Sequence, residues 1–279
     1  MCLTSPGTPG KKPTGQRCMK WSQLVTEIIE IAEGAGAETL KHYRSDSLGV
    51  DQKSDNSPVT AADLAAHHFI VDRLEAVLED VEVISEESAE ARGFAAPSGD
   101  RFWLVDPLDG TKEFINQRDE FTVNIALIER GKPVMGVVVA PALGLTWAGS
   151  PDGAFRQSIG SKDRKTIALR QVPAEGLTVT ASRSHADPAA LEALLQGQRV
   201  AEVINAGSSL KFCRIAEGAA DLYPRQGRTM EWDTAAGQAV AEAAGAVVLR
   251  VEDRAPLTYG KQGLDNPHFI VGLPLVVSS

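Results

Sequence analysis

WLVDPLDGT, residues 103–111, is the stretch on which the reading of this chain turns. Trp103, Leu104 and Val105 have the character of a buried strand, and Asp106, Pro107, Leu108, Asp109 and Gly110 follow at once. Proline has no N–H to give to a central ladder, and glycine admits a tight turn. The strand is therefore predicted to end here, with two carboxylates crowded on its C-terminal edge. Two acids this close repel each other unless a cation lies between them. A hard divalent ion such as Mg²⁺ suits that position, since it takes carboxylate oxygens and stays open to phosphate and water.

A second acidic pair, Glu86-Glu87, follows a strand predicted over residues 81–85. A third acid, Asp233 in Glu231-Trp232-Asp233-Thr234, opens a predicted helix over 233–244. A fourth, Asp63, is the third residue after Thr60, whose hydroxyl suits the start of a helix over 61–78. Taken singly, each has a plainer reading: a DG turn, a solvated pair, a helix cap, a charge opposing a helix dipole. Lys53 and Asp55 read as surface charges.

The surrounding pattern gives the framework. Leu24, Val25, Ile28, Ile31 and Ala32 recur at helical spacing, predicting a helix over residues 21–43. In the second helix Leu64, Val71, Leu74 and Leu78 form the predicted apolar face. Phe121, Val123, Ile125 and Leu127 alternate, Gly131-Lys132 turns the chain, and residues 134–140 are strongly β-prone, so a long antiparallel hairpin is expected. Residues 145–148 suggest a further strand. Beyond a polar stretch at 158–165, strands at 178–181, 221–223, 246–251 and 269–271 alternate with helices at 188–195, 208–217 and 233–244. The expected organisation is a disordered tail over residues 1–20, with Met19 a candidate start, an α+β part over 21–165 that holds the metal site, and an α/β part over 166–279.

Composition narrows the function. The 279 residues are 43% hydrophobic and 23% charged, which suits a globular chain rather than a disordered or fibrous one. A net charge of −9 leaves no broad basic field for a nucleic-acid polymer, although local cations still allow a small phosphorylated ligand. No apolar run approaches the length of a membrane span. Cys2, Cys18 and Cys213 are too few and too scattered for a disulfide framework, and Cys213 reads as a buried reduced thiol, which favours the cytosol.

Together SPVTAAD, ISEES, VDPLDGTKEF and EWDTAAGQAV resemble the metal-dependent phosphatases of the inositol monophosphatase superfamily. SRSHAD, GSSLKFC and LYPRQG, with the lysine and glutamate of DGTKEF, are similar to its 3'(2'),5'-bisphosphate nucleotidase branch, of the CysQ type. The resemblance runs from Trp21 to the C-terminus and implies an αβαβα layered sandwich. By motif position it implies that Glu86, Asp106, the Leu108 carbonyl, Asp109 and Asp233 hold two or three Mg²⁺ ions. It further implies that Asp63 and Thr111 orient the attacking water and take its proton, with Glu86 sharing in water activation and Glu87 at most supporting it. Attack is expected to be direct and in line, because none of the four acid-bearing segments holds a cysteine.

The implied reaction is hydrolysis of the 3'-phosphate of adenosine 3',5'-bisphosphate to AMP and phosphate, in sulfate assimilation, with 3'-phosphoadenylyl sulfate as a second substrate and with sensitivity to Li⁺. The backbone N–H groups of Gly110 and Thr111 are candidates to hold the reacting phosphate. Ser182, Arg183, His185, Ser208, Ser209, Lys211 and Arg225 are candidates for the second phosphate and the purine, with Lys112 and Glu113 shaping the pocket. The chain departs from the family pattern in its extra N-terminus and at Gln226-Gly227-Arg228. An inositol or other sugar phosphate phosphatase is the rival enzyme, and a non-catalytic partner protein the rival from another class. Monomer and homodimer both stay open. So does a peripheral association of a cytoplasmic protein with the inner membrane.

Overall fold

A computed structural model describes residues 19–45, 51–52, 58–181, 195 and 197–277 of the chain. The first elements are α1 (Trp21–His42), β1 (Asp51–Gln52), β2 (Pro58–Val59), α2 (Ala61–Val77), β3 (Glu82–Ser85), α3 (Glu86–Ala89), β4 (Arg101–Asp109) and α4 (Thr111–Ile115). Then come β5 (Thr122–Glu129), β6 (Lys132–Ala140), β7 (Leu145–Ser150), β8 (Gly153–Ser158) and β9 (Lys165–Thr166). The remainder is β10 (Leu177–Ala181), β11 (Val200–Asn205), α5 (Leu210–Ala216), β12 (Leu222–Arg225), α6 (Glu231–Ala243), β13 (Val247–Arg250), β14 (Phe269–Gly272) and α7 (Pro274–Val277).

The expected hairpin is β5 and β6, paired antiparallel from Val123↔Val139 to Glu129↔Lys132. Its turn is one residue earlier than predicted. Arg130 and Gly131 both have positive φ, 51° and 74°, as a two-residue hairpin loop that follows the strand twist requires. The hairpin lies inside a seven-stranded sheet of order β3-β4-β5-β6-β7-β8-β9. Both faces are covered. Trp103, Val105, Val123, Ile125, Leu127, Val137 and Val139 pack on Leu24, Ile28, Ile70 and Leu74 of α1 and α2. Phe102, Leu104, Ala126, Ile128, Val138 and Ala140 pack on the α5 and α6 side.

The second helix begins as expected with Thr60 as its cap, but it buries Ala62, Ala66, Ile70 and Leu74, while Leu64 is 46% exposed. Ala66, Ile70 and Leu74 meet α1 and the first sheet, and Ala62 meets Leu108, Phe114 and Phe121. Strand β4 does not stop at Pro107; it continues to Asp109. Its pairing with β3 ends at Ser85↔Val105, so Pro107 has no N–H to supply on that side. On the β5 side the register shifts between Asp106↔Asn124 and Asp109↔Thr122. Three steps on β4 match two on β5, a bulge that re-aims the two carboxylates.

The second sheet has the order β11-β10-β12-β14-β13 among the described residues, with β10 parallel to both β11 and β12 and the other pairs antiparallel. Helices α5 and α6 lie between the two sheets, joined to both by Phe212, Tyr223, Trp232, Ala236, Val240 and Phe269. On the outer face of the second sheet Val277 of α7 packs with Leu177, Val179, Leu195, Leu222 and Ile270. The result is a layered α/β sandwich of two mixed sheets with helices between and outside them. β8, β9 and β11 were not anticipated: β8 mixes polar and apolar residues, β9 is exposed, and β11 is largely exposed, so none carries a hydrophobic period. The helix predicted over 188–195 lies outside the described residues except for Leu195.

Helix α6 sits directly on the first sheet through two glycines. A Cβ at Gly136 would come within 2.5 Å of the Ala236 carbonyl oxygen, and one at Gly149 within 2.6 Å of the Ala239 carbonyl oxygen and Val240 Cα. No described helix is long and apolar enough to cross a membrane.

Candidate active site

The acids picked out in the sequence collect at strand ends and helix starts. Asp63 is the third residue of α2, and its Oδ2 accepts hydrogen bonds from the Thr60 N–H and Oγ1, at 2.7 and 2.6 Å. Glu86 opens α3 directly after β3. Asp106, Leu108 and Asp109 occupy the bulged end of β4, where Asp106 Oδ1 accepts the Leu108 N–H at 3.1 Å. Asp233 is the third residue of α6 and accepts the Met230 N–H at 2.8 Å. Thr111 opens α4 and stands between two acceptors, with its Oγ1 3.4 Å from both Asp63 Oδ1 and the Leu108 carbonyl.

Burial and mutual repulsion set the electrostatics. The Asp233 carboxyl is pushed well above the usual carboxylate range by burial, then by the charges of Asp109 and Glu86. Asp109 is also raised by burial, opposed by Lys211 and by hydrogen bonds from Asn124 and Ser209. Three acids from β4, α3 and α6 thus act on one another, and hard oxygen donors under such repulsion fit a divalent cation. Among the described residues, no three His, Cys, Asp or Glu side chains stand at the spacing of an assembled metal centre. The fit is therefore one of donor chemistry and of placement at the element ends.

A cavity of about 210 Å³ adjoins the acids and is lined by Asp109, Gly110, Lys112, Lys211, Tyr223, Arg225 and Asp233. Asp63, Glu86, Asp106, Leu108 and Thr111 are not on its lining. Lys211 is buried, and its Nζ donates to the carbonyls of Ser208 (2.7 Å) and Ala206 (3.3 Å). Burial lowers its pKa to about 8, with Asp109 pulling it back up and Arg225 lowering it further. Gly110 enters α4 with φ +92°, and a Cβ there would lie 2.2 Å from Ser208 Oγ.

Ser208, expected to face the substrate, lines the cavity, and Ser209, expected there too, does not; both hydrogen-bond within the protein. Ser208 Oγ lies 2.8 Å from the Asp109 carbonyl and 2.9 Å from that of Glu120. The Ser209 N–H goes to Asp109 Oδ2 at 2.7 Å, and the Gly207 N–H to Glu120 Oε2 at 3.1 Å. Glu113 lines the cavity as expected of a pocket-shaping residue. Ser182, Arg183 and His185, with Lys53 and Asp55, lie outside the described residues. Sequence reasoning missed Asn124, Glu120 and Tyr223. Asn124 carried no signal in the sequence, since it falls with Thr122 on the alternate face of Phe121, Val123, Ile125 and Leu127, where a polar residue is ordinary until the structure shows both faces buried.

The model of the inositol monophosphatase family matches residues 20–270. The chain is 46% identical over 253 residues to the 3'(2'),5'-bisphosphate nucleotidase CysQ of Escherichia coli K12, covering 90% of this chain and 100% of that protein. A protein of the same name from Haemophilus influenzae is 34% identical over 251 residues, covering 89% of this chain and 92% of that one. Among solved structures, CysQ from Bacteroides thetaiotaomicron superposes with a TM-score of 0.77 at 38% identity, covering 91% of this chain and 98% of the other. A Thermotoga maritima IMPase matches at a TM-score of 0.71 and 24% identity, covering 90% and 92% of the two chains, a likeness of fold alone.

Proposed function

This chain belongs to the inositol monophosphatase family, and from that premise we propose that it hydrolyses the 3'-phosphate of adenosine 3',5'-bisphosphate to AMP and phosphate. The observation that carries the reading is one cavity with Asp109 and Asp233 beside the cations of Lys112, Lys211 and Arg225. A single phosphate ester needs only the acids and the metal they would hold. A second, non-reacting phosphate needs local cations in a chain of net charge −9. Relatives named for bisphosphate nucleotidase activity, similar along nearly their whole length, favour the same substrate class. The division of labour follows, with residues 21–165 supplying most of the acids and 166–279 supplying Asp233 and the nucleotide-binding groups.

In this reading Glu86, Asp106, the Leu108 carbonyl, Asp109 and Asp233 would hold two or three Mg²⁺ ions. Bound there, Mg²⁺ supplies charge neutralisation for the phosphate and a lowered pKa for water. Asp63 takes the proton of the attacking water. The Thr111 hydroxyl, within reach of the Asp63 carboxylate, orients that water. The Gly110 and Thr111 N–H groups face the phosphate oxygens, and Lys211 and Arg225 hold the second phosphate. Hydrolysis of 3'-phosphoadenylyl sulfate, a place in sulfate assimilation and a cytoplasmic location go with the proposal, the last in keeping with the buried free thiol of Cys213.

The test is phosphate release from adenosine 3',5'-bisphosphate, 3'-phosphoadenylyl sulfate and inositol 1-phosphate, each with Mg²⁺, with EDTA and with added Li⁺. The nucleotides are expected to be cleaved far faster than the inositol ester, with loss of activity on chelation and inhibition by Li⁺. Faster cleavage of inositol 1-phosphate would transfer the proposal to the sugar phosphatases.

A further inference from the structure

Asp109 and Asp233 come from different layers, one from a strand of the first sheet and the other from the helix that lies on it. We infer that Asn124 and Ser209 are positioning residues that set the separation of these two acids, an inference that rests on reading the acids as metal ligands. The hydrogen bonds between them form a directed chain. Ser209 donates its N–H to Asp109 Oδ2 at 2.7 Å and its single hydroxyl proton to the Asp233 carbonyl at 2.8 Å. The hydroxyl must therefore accept from Asn124 Nδ2, 3.0 Å away. The other Nδ2 proton goes to Asp109 Oδ2 at 3.2 Å. Strand β5 is thereby tied to the end of β4, to the turn before α5 and to the first turn of α6.

Two further observations favour positioning over a plain core role or a substrate contact. Asn124 is buried and its Oδ1 has no hydrogen-bond partner among the described residues, a cost that a valine or isoleucine like its sequence neighbours would avoid. What the amide brings to that strand is its pair of donors. Ser209 is buried, and both of its protons are committed within the protein, which leaves none for a phosphate. Groups that orient metal ligands are worth about 10–100-fold in metal affinity or activity.

Mg²⁺ alone is the first probe, read as the midpoint of its effect on melting temperature without nucleotide; kcat and KM for adenosine 3',5'-bisphosphate are the second. Ser209→Ala is expected to raise the Mg²⁺ midpoint and lower kcat, each about tenfold, while KM moves less than about twofold. Ser209→Thr, which keeps the hydroxyl, should restore most of the loss. Asn124→Val suits a buried strand and should give the same signature even if Ser209→Ala fails to fold. The double variant should be little worse than either single one. A raised KM with kcat and the Mg²⁺ midpoint unmoved would make Ser209 a substrate contact and overturn the inference, as would fully additive losses. Shifted Mg²⁺ midpoints in a protein that releases no phosphate from the nucleotide would uphold the positioning role and remove the nucleotidase reading instead.

Discussion

Gly136→Ala probes whether the contact between sheet and helix holds the two halves of the site in place. The added Cβ would stand 2.5 Å from the Ala236 carbonyl oxygen, 2.8 Å from Ala236 Cα and 2.9 Å from Ala239 Cβ. Ordinary contact begins near 3.4 Å, so helix α6 has to lift by about 0.9 Å, and two of the three atoms in the way are backbone that no rotamer change can move. Overpacking of this kind costs about 1–3 kcal/mol, equivalent to a fall of about 2–10 °C in melting temperature for a chain of this size. The same lift carries Asp233, three residues before Ala236, away from Asp109. A misplacement of about 1 Å at reacting groups lowers turnover about 100-fold. Melting measured by circular dichroism, together with phosphate release from adenosine 3',5'-bisphosphate at a temperature where the variant stays folded, separates the two effects. Gly99→Ala, with nothing among the described residues within 4 Å of its Cβ, is the control and should change stability by less than about 0.5 kcal/mol. Parental melting and turnover in Gly136→Ala would refute the claim that this contact positions Asp233.

Other substitutions test the electrostatics and the local strain. Asp233→Asn removes one member of a buried, mutually repelling set, so without metal it should melt no lower than the parent, while turnover falls about 100-fold or more; a large loss of stability would mean the carboxylate is a structural anchor. Gly110→Ala puts an L side chain at φ +92° and drives the Ser208 hydroxyl off two carbonyls, a cost of about 2–3 kcal/mol. In a Ser208→Ala background urea denaturation should show about 1 kcal/mol less for the same change, and an equal cost in both would exclude the clash. Burial alone would raise the Glu82 pKa, but hydrogen bonds from Arg92 and Ser98, with the Arg92 charge, bring it below the usual value. A lowered folded pKa stabilises above the unfolded value and is lost as the pH falls through the folded one. Glu82→Gln should therefore cost about 0.5–1 kcal/mol at pH 7, and little in strong acid, by denaturant titration at both pH values.

Local chemistry was legible in the sequence. Helix α1, the Thr60 cap of α2, the β5–β6 hairpin and the delivery of Asp106, Asp109 and Asp233 to element ends each follow from residues within a few positions of one another. Periodicity, capping and turn preference act over that range. Three-dimensional packing alone decided the face that α2 buries, because Ala66, Ile70 and Leu74 meet α1 and the first sheet while Ala62 meets Leu108, Phe114 and Phe121. It also decided that β4 passes through Pro107, since β3 stops at the pair Ser85↔Val105 and asks nothing of the proline. The link from Asn124 through Ser209 to Asp233 joins residues 85 and 24 positions apart. No local preference carries such a bond; it exists because two sheets and the helices between them close on the same point.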